Sequence, residues 1–368
     1  MLSKKEVLAS AKKGHTLKEN LKTQPFEHQV VFGNPSVLAK SWYIICPSKE
    51  LKRQQAKSFN LVRQRIVLFR GKTGGVKCLD AFCPHLGTDL GNGIVEGESL
   101  LCLFHKWKFN SDGELTDSPC GAHKRLVEKA KLNSYPTQEK FGFIWVFSSK
   151  EATHEIPKPI ELFGQEVESL FLREVQLKVH PHILMMNAVD LQHFKTLHKI
   201  NADISFTVNE RTPEWIEWDI IFKVKSGNLA IRLARFLFGN NISYKVIYAG
   251  ATIAGISVKM PGLFSGKGPM LPSINILWAS KPNASATGSI YNFLVIKKYR
   301  GFFAPIKRLW AYIISLSVLM MLRDDDIFVF PNMRFFLKNP ASSDKSLIKY
   351  MSFVNSLQAS EWGDSKNE

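Results

Sequence analysis

Two short pairs of cysteine and histidine are the first feature of this sequence that points to chemistry. Cys83 and His85 form a C-x-H pair, and Cys102 and His105 form a C-x2-H pair after sixteen intervening residues. Zn²⁺ favours cysteine and histidine ligands with short spacing within each pair. An iron–sulfur cluster in which two histidines replace two cysteines on one iron uses the same residue types. The residue types alone leave both kinds of metal site open.

The surroundings of the two pairs favour the iron–sulfur cluster over zinc. Both pairs lie on loops between strand-like stretches, and the turn-rich segment GTDLGNG follows the first pair. The order C-x-H, sixteen residues, C-x2-H resembles the Rieske [2Fe–2S] pattern. This resemblance implies that Cys83 and Cys102 bind one iron and that His85 and His105 bind the other. No further cysteine stands beside these ligands, so we expect the lower-potential centre of oxygenases rather than the disulfide-bearing respiratory type.

A second set of residues that suit a metal lies about eighty residues further on. The stretch NAVDLQHFKTLHKI contains Asp190, His193 and His198 in the pattern D-x2-H-x4-H. Two histidines and a carboxylate bind a mononuclear iron and leave positions open for O₂ and substrate. Residues five apart on an ideal helix point about 140° apart. The two histidines therefore share a metal only if the helix ends or distorts between them, and a solvated helix face is the alternative.

The two sets together resemble the Rieske non-haem iron oxygenases, the family of ring-hydroxylating oxygenase alpha subunits. The resemblance implies a third iron ligand near the end of a late helix, where RDDDIFVFPNM offers Asp326, with Asp325 as its nearest rival and a solvated acidic cluster as the alternative. It also implies that Asp190 hydrogen-bonds a cluster histidine of one subunit and an iron-ligand histidine of the next, within a homotrimer. Asn187 matches a position near the iron in some relatives, with a helix-surface amide as the alternative.

The resemblance implies an O₂-dependent enzyme with a [2Fe–2S] cluster and a mononuclear Fe(II). The sequence has no convincing nicotinamide or flavin motif, so the electrons of NAD(P)H would arrive through a separate reductase, ferredoxin or both. Patches such as SWYIICPSKELK resemble aminopyrrolnitrin oxygenase-like enzymes, and sterol- and steroid-oxidising Rieske enzymes share the late register. We expect hydroxylation, N-oxygenation, demethylation or desaturation of a hydrophobic, ring-containing molecule in a pocket lined by Phe, Trp, Ile and Met.

The pattern of strands and helices predicts an α+β chain in two parts. Short apolar runs cut by turns predict an all-β Rieske domain over residues 38–150, after a polar arm at 1–37. Strands such as WIEWDIIFKVK, bracketed by helical patterns, predict an antiparallel sheet flanked by helices in a catalytic domain at 155–368. The family resemblance makes that domain helix-grip-like.

Composition limits the partners of this chain. Its 368 residues include 45% hydrophobic ones, which is typical of a folded protein, and its formal net charge of +17 favours an acidic partner. A nucleic-acid binder would explain the charge, but the aromatic residues alternate as in a core, so we expect no nucleic acid. A Rieske electron-transfer protein without oxygenase activity is the other alternative, and it would leave the second histidine pair without a use.

The N-terminus and a late apolar run bear on location. The first twenty residues lack the features of a secretory signal, so we expect a cytoplasmic protein whose remaining cysteines, Cys46, Cys78 and Cys120, are reduced and buried. Leu309 to Leu322 would span about 21 Å as a helix, which is short of a bilayer. A buried core helix is the main interpretation. Peripheral membrane contact, through Lys307, Arg308 and the stretch LAIRLARFLFG, is the alternative.

Overall fold

The computed structural model describes residues 31–119, 121, 129–225, 236, 239–260, 272–285, 287–330 and 333–362. For residues 317–328 it describes the backbone alone. Eighteen strands, β1 to β18, and four α-helices, α1 to α4, are named below in chain order. The fold is therefore mainly antiparallel sheet with helices concentrated after residue 180, in agreement with the α+β prediction.

The first eleven strands build three small antiparallel sheets, which agrees with the all-β expectation for this part of the chain. One sheet has the order β1–β11–β10, the second β2–β3–β4–β9 and the third β5–β6–β7–β8. In chain order, strands β1 to β11 span Trp42–Pro47, Gln55–Leu61, Gln64–Arg70, Val76–Asp80, Ile94–Glu96, Ser99–Leu101, Lys108–Phe109, Leu115–Asp117, Ser134–Tyr135, Thr137–Lys140 and Phe143–Phe147. The loops that carry the two Cys/His pairs leave β4 and β6, so rigid strands hold both.

The remaining seven strands form one antiparallel sheet in the order β12–β18–β17–β16–β15–β14–β13. In chain order, strands β12 to β18 span Val167–Leu177, Ala202–Thr212, Trp215–Val224, Asn241–Ala249, Ile253–Lys259, Ile274–Pro282 and Gly288–Lys297. The helices are α1 at Pro181–Asn187, α2 at Leu191–Thr196, α3 at Ala304–Val329 and α4 at Lys345–Ser356. In β14 the apolar face is buried as its alternation predicts, with Ile216, Trp218 and Ile220 fully enclosed.

The large sheet is buried on both faces at its centre, which explains why β17 and β18 read as nearly continuous apolar runs. On β18, Phe293 and Val295 face the small sheets and pack in one core with Trp42 and Trp145. The alternate residue Ile290 faces the opposite side and belongs to the core formed with the helices. The small sheets and the large sheet therefore share a core across their boundary.

The two ends of the described chain also cross that boundary. Phe32, which the sequence places in the polar arm, is buried with the large sheet and helices, where its amide donates to Asn355 Oδ1 at 2.9 Å. Trp362 near the other end is buried among the small sheets. Cys46 and Cys78 are buried, as expected, whereas Cys120 lies outside the described residues.

Helix α3 differs from the expected buried core helix. Only one side of its first half is covered, at Ala311 and Ser315, while Leu309 and Trp310 are each 59% exposed. The helix packs on the face of β17 and β18, so one side is covered and the other side faces solvent. Among the described residues no helix is long and apolar enough to span a membrane.

Candidate metal centres

The loop that follows β4 holds Cys83 in a tight backbone turn. The Cys83 amide donates to the Thr88 carbonyl at 2.9 Å, and the Gly87 amide donates to the Cys83 carbonyl at 2.9 Å. Gly87 has a φ of 74°, which suits glycine because it lacks a Cβ. The turn points the segment from residue 83 to residue 86 toward the second loop.

The loop that follows β6 repeats this arrangement. The Cys102 amide donates to the Trp107 carbonyl at 2.8 Å, and the Lys106 amide donates to the Cys102 carbonyl at 3.0 Å. Lys106 occupies the position that corresponds to the glycine of the first loop, and its φ is 61°. Two loops of different sequence thus share one backbone design, each with its cysteine at the first position.

The four side chains of the two loops sort by type. The thiols of Cys83 and Cys102 interact with each other and are buried. The rings of His85 and His105 lie 4.7 Å apart between centroids and are partly exposed. This arrangement places two sulfur ligands inside and two imidazole ligands at the surface, as a [2Fe–2S] cluster with two cysteines on one iron and two histidines on the other requires.

Burial controls the protonation of the Cys83 thiol. Desolvation raises the pKa of the Cys83 thiol to about 11, while hydrogen bonds from the amides of His85 and Leu86 to its sulfur lower the pKa and the nearby Cys102 raises it. A thiol with this pKa carries its proton at neutral pH. Iron binding would release that proton because the thiolate is the ligand.

The residues present fit the cluster on a second count. Within the described part of the chain, Nδ1 of His85 and Nε1 of Trp107 are buried without a hydrogen-bond partner. Such atoms are costly to bury, and an iron bound at Nδ1 of His85 would satisfy the first of them. Trp107 stacks on His85 with ring centroids 4.5 Å apart and planes 2° apart, so the imidazole is already oriented.

Asp89 anchors the chain between the two pairs. Burial alone would raise its pKa, but hydrogen bonds from the Ser58 hydroxyl, the Gly91 amide and the Arg65 guanidinium outweigh it and lower the pKa. Arg65 donates to Asp89 Oδ2 through Nε at 2.8 Å. The first loop is thus tied to β2 and β3. This role was not predicted, since an aspartate between the C-x-H loop and a turn does not by itself identify Ser58 and Arg65 as its partners.

The second candidate site lies where two short helices meet the large sheet. Helix α2 begins after Asp190 and ends at Thr196, between His193 and His198. The amides of residues 197 and 198 both donate to the His193 carbonyl, and Lys199 has a φ of 55°, so the chain turns sharply there. The rings of His193 and His198 consequently lie 5.0 Å apart between centroids. The helix end that a shared metal requires is present.

Asp190 fixes both the helix and its first histidine. Its Oδ1 accepts from the amides of Gln192 at 3.0 Å and His193 at 3.4 Å, which caps α2. Its backbone carbonyl accepts from Nδ1 of His193 at 2.5 Å. Because Nδ1 carries the hydrogen in this contact, Nε2 carries the lone pair that a metal needs. A contact of this kind is typical of metal-binding histidines.

A cavity of about 330 Å³ adjoins this histidine pair. Its walls are the inner face of the sheet, with Val175, Ile256 and Trp278 among them, together with His193 of α2 and His198 just after that helix. The lining is mainly aliphatic and aromatic, as predicted, but none of its described members is a methionine. Such a cavity suits a hydrophobic ligand oriented by a few polar groups.

The structure describes the other predicted residues of this site to different extents. Asn187 is buried at the end of α1 and lines the cavity. The side chains of Asp325 and Asp326 lie outside the described residues, although their backbone belongs to α3, and Phe330, four residues after Asp326, lines the cavity. Among the described side chains no three His, Cys, Asp or Glu converge on one point. The role of each predicted ligand stays a prediction.

Comparison with known proteins agrees with the first centre. Residues 41–136 match the family described as the Rieske [2Fe-2S] domain. The Drosophila melanogaster cholesterol 7-desaturase nvd is 32% identical over 47% of this chain and 41% of its own length. The 3-ketosteroid-9-alpha-monooxygenase oxygenase component of Rhodococcus rhodochrous is 27% identical over 45% of this chain and 43% of its own length. The chain thus spans less than half the length of these curated relatives.

Solved structures extend the likeness to most of the chain. Dicamba monooxygenase bound to dicamba matches 86% of this chain and 97% of its own, with a TM-score of 0.57 and 16% identity. NdmA of Pseudomonas putida CBB5 with theobromine matches 85% and 88%, with a TM-score of 0.60 and 15% identity. The chain therefore contains a Rieske [2Fe–2S] domain and has the fold of these proteins. Its sequence similarity to the cholesterol 7-desaturase and to the 3-ketosteroid monooxygenase covers about half of the chain.

Proposed function

We propose that this chain is a Rieske oxygenase that uses O₂ and two externally supplied electrons to oxidise a hydrophobic, ring-containing small molecule. The observation that carries the proposal is the presence of two separate histidine pairs in one chain. One lies beside buried thiols on the Rieske loops, and the other adjoins an apolar cavity. A Rieske electron carrier would need the first pair alone.

The proposal assigns each ligand to one centre. Cys83, His85, Cys102 and His105 would hold the [2Fe–2S] cluster. His193, His198 and Asp326 would hold a mononuclear iron, which, when bound, supplies a site for O₂ beside the substrate.

Other side chains do the remaining work at the second site. The Asp190 carbonyl keeps a hydrogen on Nδ1 of His193 and so presents Nε2 to the cavity side. The apolar walls position the substrate and exclude water, which protects reactive species from side reactions. Asn187, at the cavity wall, would orient substrate near the iron.

We further propose a homotrimer in which electrons cross between subunits. The cluster histidines lie at the surface beside Leu86, Leu103 and Phe104, which are 49% to 64% exposed. An exposed apolar rim around a redox centre suits a protein interface. The Asp190 side chain is also partly exposed, at 28%, and could meet a partner histidine there.

The electron source in this proposal is a separate ferredoxin, a reductase or both, supplied in turn by NAD(P)H. The net charge of +17 suits an acidic ferredoxin because complementary charge speeds association. We also propose a cytoplasmic location and a division of the chain into a Rieske domain at 38–150 and a catalytic domain at 155–368. The narrower resemblance to aminopyrrolnitrin oxygenase-like enzymes also stays a prediction.

A sterol or steroid substrate is the second candidate, for hydroxylation or desaturation. Cholesterol 7-desaturase and 3-ketosteroid-9-alpha-monooxygenase are both relatives by sequence. The cavity wall formed by Val175, Ile256 and Trp278 offers the flat apolar surface that a fused ring system needs.

The test is metal content followed by turnover. Protein purified without oxygen should contain iron and acid-labile sulfide in a ratio of about three to two, and the reduced form should give a Rieske-type EPR signal. With a surrogate reductase, O₂ uptake should then depend on a substrate from a panel of sterols, 3-ketosteroids and substituted aromatics. Two irons that do not increase when Fe(II) is added would overturn the oxygenase proposal in favour of an electron carrier.

A further inference from the structure

A ridge of large apolar side chains runs along the outer side of α3 near its N-terminus. Its members are at least 46% exposed: Phe302, Phe303, Ile306, Leu309, Trp310 and Ile313. We call this set the α3 ridge. A contiguous apolar patch of this kind on a folded chain marks an interaction surface.

The α3 ridge points away from the protein because the opposite side of the helix is packed. Each residue of an α-helix turns by about 100°, so Ile306, Leu309, Trp310 and Ile313 fall within an arc of about 100°. Ala311, on the other side, is buried against Leu294 and Ile296 of β18. Folding has therefore left the ridge uncovered while satisfying the inner face.

Positive charge flanks the ridge. The stretch from residue 297 to residue 322 contains five basic residues and no acidic one: Lys297, Lys298, Arg300, Lys307 and Arg308. Glu166 pairs with Arg300 and Lys298, and Glu168 pairs with Arg308. Five cations against two carboxylates leave a positive margin around an apolar centre, and Lys307 is exposed beside the ridge.

The ridge also lies close to the cavity of the second site. Leu172 of β12 lines that cavity and packs in the small core beneath α3, together with Ala311 and Leu316. The core beneath the helix thus reaches the cavity wall through Leu172.

We propose that the α3 ridge docks on the surface of a membrane that contains anionic lipids. Aromatic side chains with a basic margin suit the headgroup region of such a membrane, where helices lie flat with their apolar face inserted. A second copy related by a two-fold axis would oppose the five cations to one another. An acidic redox protein would have to approach the cluster histidines, which lie on the Rieske loops and not on the α3 ridge. Docking would allow the enzyme to take up a lipophilic substrate from the membrane, and this purpose rests on the proposed function.

Vesicle flotation of the full-length holoenzyme tests this docking without any turnover. The probes are vesicles of phosphatidylcholine alone and of phosphatidylcholine mixed equally with phosphatidylglycerol. The double variant Phe303→Ser/Trp310→Ser removes part of the ridge, and Phe336→Ser, at another exposed phenylalanine, is its matched control. Lys307→Glu reverses a flanking charge, and Lys52→Glu, an exposed lysine beside the small sheets, is the control for charge.

We expect binding to the anionic vesicles and little to the neutral ones. The ridge double variant should bind at least about tenfold more weakly, and Lys307→Glu about fivefold or more. The two controls should bind as the natural chain does, and all variants should keep the cluster EPR signal.

Equal binding by the ridge variant and the natural chain would overturn the proposal, as would equal binding to both vesicle types. Light scattering provides the other decisive outcome. A smaller assembly for the ridge variant would assign the ridge to contact between copies instead. Intact vesicle binding without oxygenase activity would leave this docking in place and would sink the proposed function alone.

Discussion

Asp190 joins the local structure to the proposed electron path. One carboxylate oxygen caps α2, and the backbone carbonyl of the same residue holds Nδ1 of His193. The negative charge is not needed for the cap, since asparagine caps helices as well as aspartate does. The charge is therefore open to a second role, between a cluster histidine and an iron-ligand histidine.

Asp190→Asn separates the two roles. We expect the fold, the iron content and the cluster EPR signal to be unchanged, because the cap remains. Turnover should fall about tenfold to a hundredfold, as it does when outer partners of metal ligands are lost. Asp190→Ala should lose the cap as well, at about 1 kcal/mol of stability. Full turnover in Asp190→Asn would show that the carboxylate is structural alone.

His193→Ala tests the second site by metal counting. The variant should lose one iron per chain and fall from about three to about two, with acid-labile sulfide unchanged. The reason is that removal of one imidazole leaves too few protein ligands for the mononuclear iron. Gln192→Ala, at an exposed neighbour on the same helix, is the matched control and should keep all the iron. Loss of sulfide along with iron would mean general damage rather than loss of one site.

Two buried histidines beside α1 predict an acid-sensitive fold. Burial lowers the pKa of His180 to about 4 and the pKa of His182 well below its usual value. Nδ1 of His182 accepts from the Gly33 amide at 3.1 Å, so protonation would break that contact. The unfolded chain binds a proton at His180 below about pH 6.5, and the folded chain does so only near pH 4.

The lowered pKa of His180 determines how the stability of the fold changes with pH. The contribution of His180 is complete above about pH 6.5 and is lost as the pH falls toward 4, with a slope of about 1.4 kcal/mol per pH unit. Thermal unfolding followed between pH 7 and pH 4 should show the decline. His180→Gln should reduce this slope by the contribution of one proton, about 1.4 kcal/mol per pH unit. An unchanged slope would contradict the assignment of the acid sensitivity to His180. His154, whose pKa burial also lowers, has to be considered in the same pH range.

At the scale of elements, the sheet holds the helices that carry the second site. Tyr248 of β15 donates from its hydroxyl to the Met185 carbonyl of α1 at 2.6 Å, and both groups are buried. Tyr43 of β1 makes a comparable buried bond to the Ala39 carbonyl at 3.0 Å, among the small sheets. The two tyrosines therefore form a matched pair, one beside α1 and the other among the small sheets.

Tyr248→Phe and Tyr43→Phe should each cost about 0.5–1.5 kcal/mol, because each removes one buried hydrogen bond while the carbonyl keeps a second donor, the Ala188 amide or the Ser148 hydroxyl. Their effects on metal content should differ. Tyr248→Phe should weaken retention of the mononuclear iron because α1 leads directly into Asp190, whereas Tyr43→Phe should leave that iron in place. Iron release to a chelator, followed over time, measures the difference. Equal release from both variants would contradict the link between α1 and the second site.

The same elements show what sequence alone could predict. The C-x-H and C-x2-H spacing identified the Rieske loops because cluster ligands are constrained in type and order. The spacing of His193 and His198 required a helix end, and α2 ends at Thr196. The Asp190 carbonyl contact, the stacking of Trp107 and the anchoring by Asp89 depend on three-dimensional packing. No local pattern could have specified those contacts.

The expected burial of α3 was wrong for a physical reason. An apolar run of about fourteen residues fits a core helix and a surface helix equally well, since composition does not say which neighbours exist. Here the sheet covers one side alone, at Ala311 and Ser315. Which side of a helix faces solvent is decided by the tertiary fold, so hydropathy could offer a surface helix as the alternative but could not choose it.

At the scale of the whole molecule, the large sheet is the common wall of both parts of the chain. One face carries the cavity, and the other packs on the small sheets through a shared core. Phe293 lies fully buried at the centre of that core, 5.2 Å from the Phe143 ring and 5.4 Å from the Phe171 ring. The shared core makes unfolding of the Rieske part and of the sheet one cooperative event.

Phe293→Ala should weaken this coupling. The lost contacts and the cavity left behind cost about 3–5 kcal/mol, and the cost falls on the boundary between the two parts. We expect loss of cluster absorption and loss of sheet circular dichroism to coincide on heating in the natural chain and to separate into two transitions in the variant. Phe222→Ala is the control, because Phe222 is buried on the cavity side and away from the boundary. It should lower both transitions together. Coincident transitions in Phe293→Ala would mean that the coupling depends on the other crossing segments at Phe32 and Trp362, since those contacts would then suffice to hold the two parts together.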